Sequence, residues 1–241
     1  MSEVPMILTP YEAEAAAGGK LKVVIRPADP QPRKHHWAML PDYRISAYCG
    51  TYMDGVKVSF THHHGDYVDT SQDIVRSPAQ PGDVIVGLES WNSISLAGPS
   101  DPWFEKAKAD GHLRQRADGK YFIALWEAEN DEWAPNWEPA ATMPPEFARH
   151  RWHVERVECK RLGEVTTESL ESTGFEPHEE CGWCEGAGYE WIDCGNPMSG
   201  YDYRHRCVCI REQFYAAWDA AFPAYPWDSD PWVFMHWLGG E

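Results

Sequence analysis

After the turn Pro81-Gly82-Asp83 come Val84-Ile85-Val86-Gly87-Leu88, five residues without a polar side chain. An alternating strand can leave one face in water, but a continuous apolar run of strand length cannot. This segment is therefore expected to be a strand covered on both faces, and the rest of the chain is read around it. Glu89 and Trp91 stand at its exit.

Further strand signals flank it. Residues 21–26 are β-branched and apolar, and the run Pro27-Ala28-Asp29-Pro30-Gln31-Pro32 ends them. Residues 43–60 alternate as a hairpin around Asp54-Gly55. Residues 121–126 and 231–238 read as strands, and 151–162 as a long one with Trp152, Val154 and Val157 facing inward. Residues 98–120, polar, charged and glycine-punctuated, read as a loop, as does the Trp- and Pro-rich stretch 130–145.

Three short helices are expected. Thr9 is placed to cap the first, with Pro10 at its first position, Glu12 and Glu14 near the positive end of the dipole and Gly18-Gly19 as its stop. Lys20 then falls in a helix-to-strand turn. Thr166-Thr167-Glu168 opens a second helix that Gly174 closes. Phe214, Ala217, Trp218 and Ala221 recur at helical spacing within residues 212–222, the mark of an amphipathic third helix. Strands in mixed order with three short helices give an α+β chain, not a doubly wound sheet.

The chain of 241 residues carries 38 acidic and 21 basic side chains, a net charge of −17. Such a field repels a phosphate backbone and disfavours generic duplex binding. It serves solubility, and it also fits a chain that binds a basic partner or imitates nucleic acid. Most of the thirteen tryptophans are expected in the core. The first residues lack the basic start and apolar core of a secretory signal, and no stretch reaches the about 18 uninterrupted apolar residues of a membrane span. A soluble cytoplasmic protein without membrane contact is the expectation.

Five of the seven cysteines fall between Cys181 and Cys209, which in a reducing compartment points to metal binding. Cys181-Gly182-Trp183-Cys184-Glu185-Gly186-Ala187-Gly188 is a knuckle in which two thiolates flank a tight turn and glycines let the backbone fold under one cation. Cys207 and Cys209 supply a second pair, and four thiolates make a closed tetrahedral site suited to structural zinc. Cys194 in place of Cys209, and His205 as a nitrogen ligand, remain open. Cys49 and Cys159 read as small core residues. His35-His36 and His62-His63-His64 read as solvated loops, because neighbours on an extended chain point to opposite sides and ligate poorly together.

The order of segments resembles the ASCH branch of the PUA-like β-barrels, in its phage-borne form. Pro5-Met6-Ile7-Leu8, the helix ending Ala17-Gly18-Gly19-Lys20, the strand reaching Arg26, and Pro30-Gln31-Pro32 are similar to the opening of that family. Gln80-Pro81-Gly82-Asp83 leading to Glu89-Ser90-Trp91 resembles its second signature, and Trp137-Glu138-Pro139 with Met143-Pro144 and Arg149 its third. Trp218-Asp219, Trp227-Asp228 and Pro231-Trp232-Val233 resemble its closing helix and strand. The resemblance implies a small barrel whose first part is residues 1–175 and whose closing helix and strand are 211–241, so the Cys-rich, zinc-binding stretch 176–210 reads as an insertion into it.

It also implies recognition of nucleic acid or a modified base in a cleft beside the barrel. Some ASCH members hydrolyse acetylated cytidine with a Gly-x-Lys-x-x-Thr turn and a later glutamate. Here Lys20 is retained, but Val23 occupies the threonine position and Thr173 stands about where many relatives have glutamate. A valine supplies neither a nucleophile nor an activated water, so no catalytic residue is assigned. The leading reading is an RNA- or other nucleic-acid-binding, or modified-nucleoside-binding, protein of phage or prophage origin. Lys20, Arg26, Glu89, Trp91 and Arg149 line its site, with Trp103, Trp133 and Trp137 as further stacking candidates. The blander reading of Glu89 is a structural carboxylate paired with Arg26 or Arg149. Two other functions stand beside this one, an acidic protein occupying the basic groove of a host nucleic-acid enzyme, and a divergent hydrolase or nuclease.

Overall fold

The computed structural model of the chain describes residues 2–32, 42–52, 55–128, 136–176, 189–192, 203–206 and 209–240, with the backbone alone for 51, 52, 70–73, 189–192 and 203–206. In chain order its elements are β1 (Glu3–Ile7), α1 (Pro10–Ala17), β2 (Val23–Pro27), β3 (Tyr43–Tyr52), β4 (Gly55–His64), β5 (Tyr67–Arg76), β6 (Val84–Leu88) and β7 (Trp91–Leu96). Then come α2 (Phe104–Ala109), β8 (Leu113–Gln115), β9 (Tyr121–Trp126), β10 (His150–Arg161), α3 (Thr167–Glu171), β11 (Tyr189–Ile192), β12 (Tyr203–Arg206), α4 (Cys209–Ala221) and β13 (Trp232–Leu238). The fold is α+β and mostly sheet, and among the described residues no sheet closes into a barrel. No described helix is long and apolar enough to cross a membrane.

The chain divides into two compact units. The first comprises Met1–Lys20, Gly82–Val154 and Gly239–Glu241. Here β6 pairs in parallel with β1 and antiparallel with the start of β10. Ile85 and Val86 are fully buried, as an all-apolar strand requires. Gly87 is needed for close approach, since a Cβ there would lie 3.0 Å from both Leu8 and Trp152 side chains. Helix α1 begins with a capping box, in which the Thr9 hydroxyl accepts from the Glu12 N–H and the Glu12 carboxylate accepts from the Thr9 N–H. A second sheet has β9 between β7 and β8. Its Phe122, Ala124 and Trp126 enter a core with Val86, Leu88, Trp91, Met143 and Phe147. The alternate residues belong to the opposite face, where Tyr121 meets Phe104 of α2 edge-on at 5.0 Å.

The second unit comprises Leu21–Pro81 and Glu155–Leu238. Strand β13 lies between β10 and β2, and β3, β4 and β5 form an antiparallel meander. Val58, Phe60 and Val75 of the meander pack with Ala28, Trp232 and Phe234, joined by Ile45, Ala47, Val157 and Cys159. Ile210, Phe214 and Trp218 make the buried stripe of α4. Burial pushes the Cys159 thiol up to about 12, which keeps it protonated beside Cys49.

Several expectations need correction. Residues 98–120 are not one loop: they contain α2, a fourth helix, and β8, because Phe104 and Ala107 give that polar stretch a buried stripe. Strands β1, β5 and β7 also carried too little alternation or apolar length to be read as strands. The histidine run is not a solvated loop but the end of β4. His62 is buried with Nδ1 2.7 Å from the Tyr43 hydroxyl, and His63 points the other way, with Nε2 2.7 Å from the Ser46 hydroxyl. His35-His36 lie outside the described residues.

One buried group makes unit stability pH-dependent. His236 of β13 is fully buried, with Nε2 2.9 Å from the Ser77 hydroxyl and Nδ1 3.3 Å from the Val24 carbonyl. Burial first, and the Arg26 charge second, lower its pKa from 6.5 to about 4, against the opposite pull of the Val24 carbonyl. Between those values the unfolded chain binds a proton that the folded chain refuses. Stability contributed above pH 6.5 is therefore lost as pH falls toward 4. The full loss is about 3 kcal/mol. Denaturant unfolding from pH 7.5 to 4 should show this decline in the native chain and a flatter profile in His236→Gln.

Candidate functional site

The strand exit of β6 delivers Glu89 into the first unit's interior, where it is 1% exposed. Arg149, just before β10, meets it with both arms of its fork: Nε donates to Oε1 at 2.7 Å and Nη2 to Oε2 at 2.9 Å. The Arg149 guanidinium also stands 5.0 Å from the centre of the Trp126 ring. Of the residues singled out from sequence, these two are brought into direct contact.

Trp91 lies in the core beside them. It is 8% exposed, packs edge-on against Phe147 at 5.4 Å, and its indole N–H donates to the Thr142 hydroxyl at 3.1 Å. Its backbone pairs with Glu138, fixing the chain on either side. Lys20 is an exposed residue in the same unit, and its N–H closes α1 by donating to the Ala15 carbonyl at 2.8 Å. Arg26 belongs to the second unit, half-buried, with Nη1 donating to the Ile25 carbonyl and the guanidinium 5.7 Å from the Phe222 ring centre. Val23 is fully buried in β2. Trp133 lies outside the described residues, and Trp137 is half-buried.

Two further arginines join Arg149 on the aromatic core. Arg114 stands 5.1 Å from the Trp126 ring, and Arg116 lies 4.6 Å from Phe122 and 5.4 Å from Phe147. Burial, then the neighbouring charge of Arg151, pushes the Arg114 guanidinium below its ordinary value. With Arg149 neutralised by Glu89, Arg114 and Arg116 leave a local positive charge against flat rings, in a chain whose net charge is −17.

On the other face of the same sheet lies a cavity of about 460 Å³. Ile94, Ile123 and Leu125 form its apolar part, and α2 and its flanks contribute Trp103, Lys106, Ala107 and Asp110, with His112 from the turn into β8. Trp103 is 56% exposed, so its ring is available to a ligand, and the Lys106 ammonium lies 5.8 Å from its centre. His112 is held by Nδ1 donating to the Ala124 carbonyl at 3.0 Å and by contact with Trp126 at 5.2 Å between ring centres. The polar set therefore offers one carboxylate, one ammonium and one imidazole around an apolar floor. Sequence reading found Trp103 but missed Lys106, Asp110 and His112. The signal was the helical spacing of 103, 106, 107 and 110 inside a stretch whose polarity reads as loop.

Of the proposed zinc ligands, Cys181, Cys184 and Cys207 lie outside the described residues, as does Cys194. Cys209 is buried at the first position of α4. In the β11–β12 hairpin Tyr189 pairs with Arg206 and Ile192 with Tyr203. The end of the hairpin near Cys184 in sequence is thereby also the end that leads into Cys207.

Removing one partner of a buried ion pair strands the other, at a cost of roughly 3–5 kcal/mol, whereas replacing both with apolar groups is often close to neutral. Glu89→Ala should accordingly destabilise the chain by roughly 3–5 kcal/mol, and Glu89→Leu with Arg149→Met should recover most of that loss in denaturant unfolding. Comparison of the chain with protein-family models, with curated proteins and with solved structures yields no match.

Proposed function

We propose that this is a nucleic-acid- or modified-nucleoside-binding protein, in which the cavity under α2 receives a single base. The observation that carries this reading is the composition of that cavity. An exposed indole, an apolar floor and a few polar groups at the rim are what a flat heterocycle requires. Trp103 supplies the stacking face, Asp110 accepts from an exocyclic amino group, and Lys106 and His112 are placed to pair with ring nitrogens or carbonyls. The volume suits one nucleoside and not a strand. The arginines on Trp126, Phe122 and Phe147 support the same reading, because they create a positive neighbourhood in an acidic chain.

The finer fold proposal is a PUA-like fold of the ASCH type from a phage or prophage, working in the host cytoplasm, and the order of sequence segments supports it, while the closed barrel is not carried over because the sheets of the described residues stay open. Alongside it we propose one structural zinc ion held by Cys181, Cys184, Cys207 and Cys209. The hairpin register supports this, since Tyr189, the strand residue that follows Cys184 in sequence, pairs with Arg206, which directly precedes Cys207. Four thiolates leave no open coordination position, so the ion would fix a loop and not activate water. Elemental analysis of freshly reduced protein should find about one zinc per chain, lost in Cys184→Ser, and a metal-free preparation would remove the ion from the proposal.

Calorimetric titration with nucleosides, acetylated cytidine included, tests the base site. Trp103→Ala should weaken binding by roughly 1–3 kcal/mol while leaving the melting temperature unchanged, since the side chain is exposed. Absence of saturable binding to any nucleoside would refute the reading, and recovery of a basic host protein in its place would favour the acidic-inhibitor alternative that the net charge of −17 suggests.

A further inference from the structure

The β3–β4–β5 meander of the second unit has one face in the core, through Ile45, Ala47, Val58, Phe60 and Val75. Strand alternation sends their neighbours to the opposite face. The registers arrange those neighbours in rows across the three strands: Arg44 and His63 with Val68, Ser46 with Thr61, Tyr48 and Ser59 with Ile74, and Gly50 and Lys57 with Arg76. No Asp or Glu occupies any of these positions, although the chain carries 38 acidic side chains. Tyr48 is 69% exposed, Ile74 55% and Val68 50%. A sheet face that is merely solvated carries mixed charges and few large apolar groups. This one has cations at both ends and an exposed aromatic ring between them.

We propose that this outer face binds single-stranded nucleic acid. The Tyr48 ring, beside Ile74, takes the face of a base, while Arg44 at one end and Lys57 and Arg76 at the other meet phosphates. The end rows are six residues apart along a strand, about 20 Å, which spans several nucleotides. A duplex buries its base faces and offers mainly phosphates, which the overall negative field repels. A single strand adds stacking to a few phosphate contacts and overcomes that field locally. The proposal shares the nucleic-acid reading given above but not its cavity, because every residue it uses is in the second unit.

The test is fluorescence anisotropy of the whole chain with a labelled 12-nucleotide uridine oligomer, with a duplex of the same length and with phosphatidylserine vesicles as competitors. Saturable binding to the oligomer is expected. With three cations on phosphates the logarithmic salt slope is about −2, so affinity falls about 20-fold between 50 and 200 mM salt. Tyr48→Ala should weaken binding by about 10-fold, and Arg44→Gln with Arg76→Gln should shrink the slope by about 1.4. All three positions are exposed, so thermal melting should not move. Trp103→Ala should bind the oligomer as the native chain does, which separates this face from the base cavity. The proposal fails if the oligomer does not bind, if vesicles are preferred, or if Trp103→Ala abolishes oligomer binding while Tyr48→Ala does not.

Discussion

The buried pair of Glu89 and Arg149 is the constraint around which the first unit is arranged. Two charges taken out of water are tolerable only when each satisfies the other, so the exit of β6 and the approach to β10 are held at one relative position. The bidentate geometry fixes angle as well as distance. Because the same guanidinium rests on Trp126, the position of β9 follows, and Trp126 in turn sets Arg114 and His112. A carboxylate that looks like a ligand reader from sequence thus serves as the peg on which both faces of one sheet are hung.

Much of the architecture was legible from pattern. The all-apolar run became β6 with the bounds expected, the Thr9 and Thr166 caps opened the helices they promised, and residues 121–126 formed β9. Each of those segments satisfies its local rules without help from distant contacts. What was missed depends on such help. The helix α2 is six residues long with no side-chain cap, and it exists because Phe104 and Ala107 dock on the sheet. β8 is three residues long and borrows its ladder from β9. Val157 of β10, by contrast, was read as inward and does pack on the second unit's core, although it breaks the parity of Trp152 and Val154 in the first.

The candidate site divides in the same way. Residue type and position at a strand exit identified Glu89, Trp91 and Arg149 as a group worth watching, and the blander reading of Glu89, a structural pair with Arg26 or Arg149, is the one the structure bears out with Arg149, while Trp91 proves to be core. Partnering is a three-dimensional property: Glu89 and Arg149 are 60 positions apart, and nothing in either segment decides between Arg149 and Arg26. The cavity was hidden for a related reason. Its polar members lie in a stretch whose composition signals solvent, and only the register of β7, β9 and β8 shows that Ile94 and Ile123 share a face.

The division of the chain into interleaved units bears on how it acquires its structure. The first unit draws on residues near the beginning, the middle and position 239, whose N–H reaches the His153 carbonyl. In the second, Val23 of β2 pairs with Trp237 of β13. Neither unit can complete its hydrogen bonding before residues 232–239 have left the ribosome, and contacts this distant in sequence close slowly. Until then β2 presents an apolar edge without its neighbour β13, so the nascent chain depends on protection from other chains for longer than a chain of local contacts would.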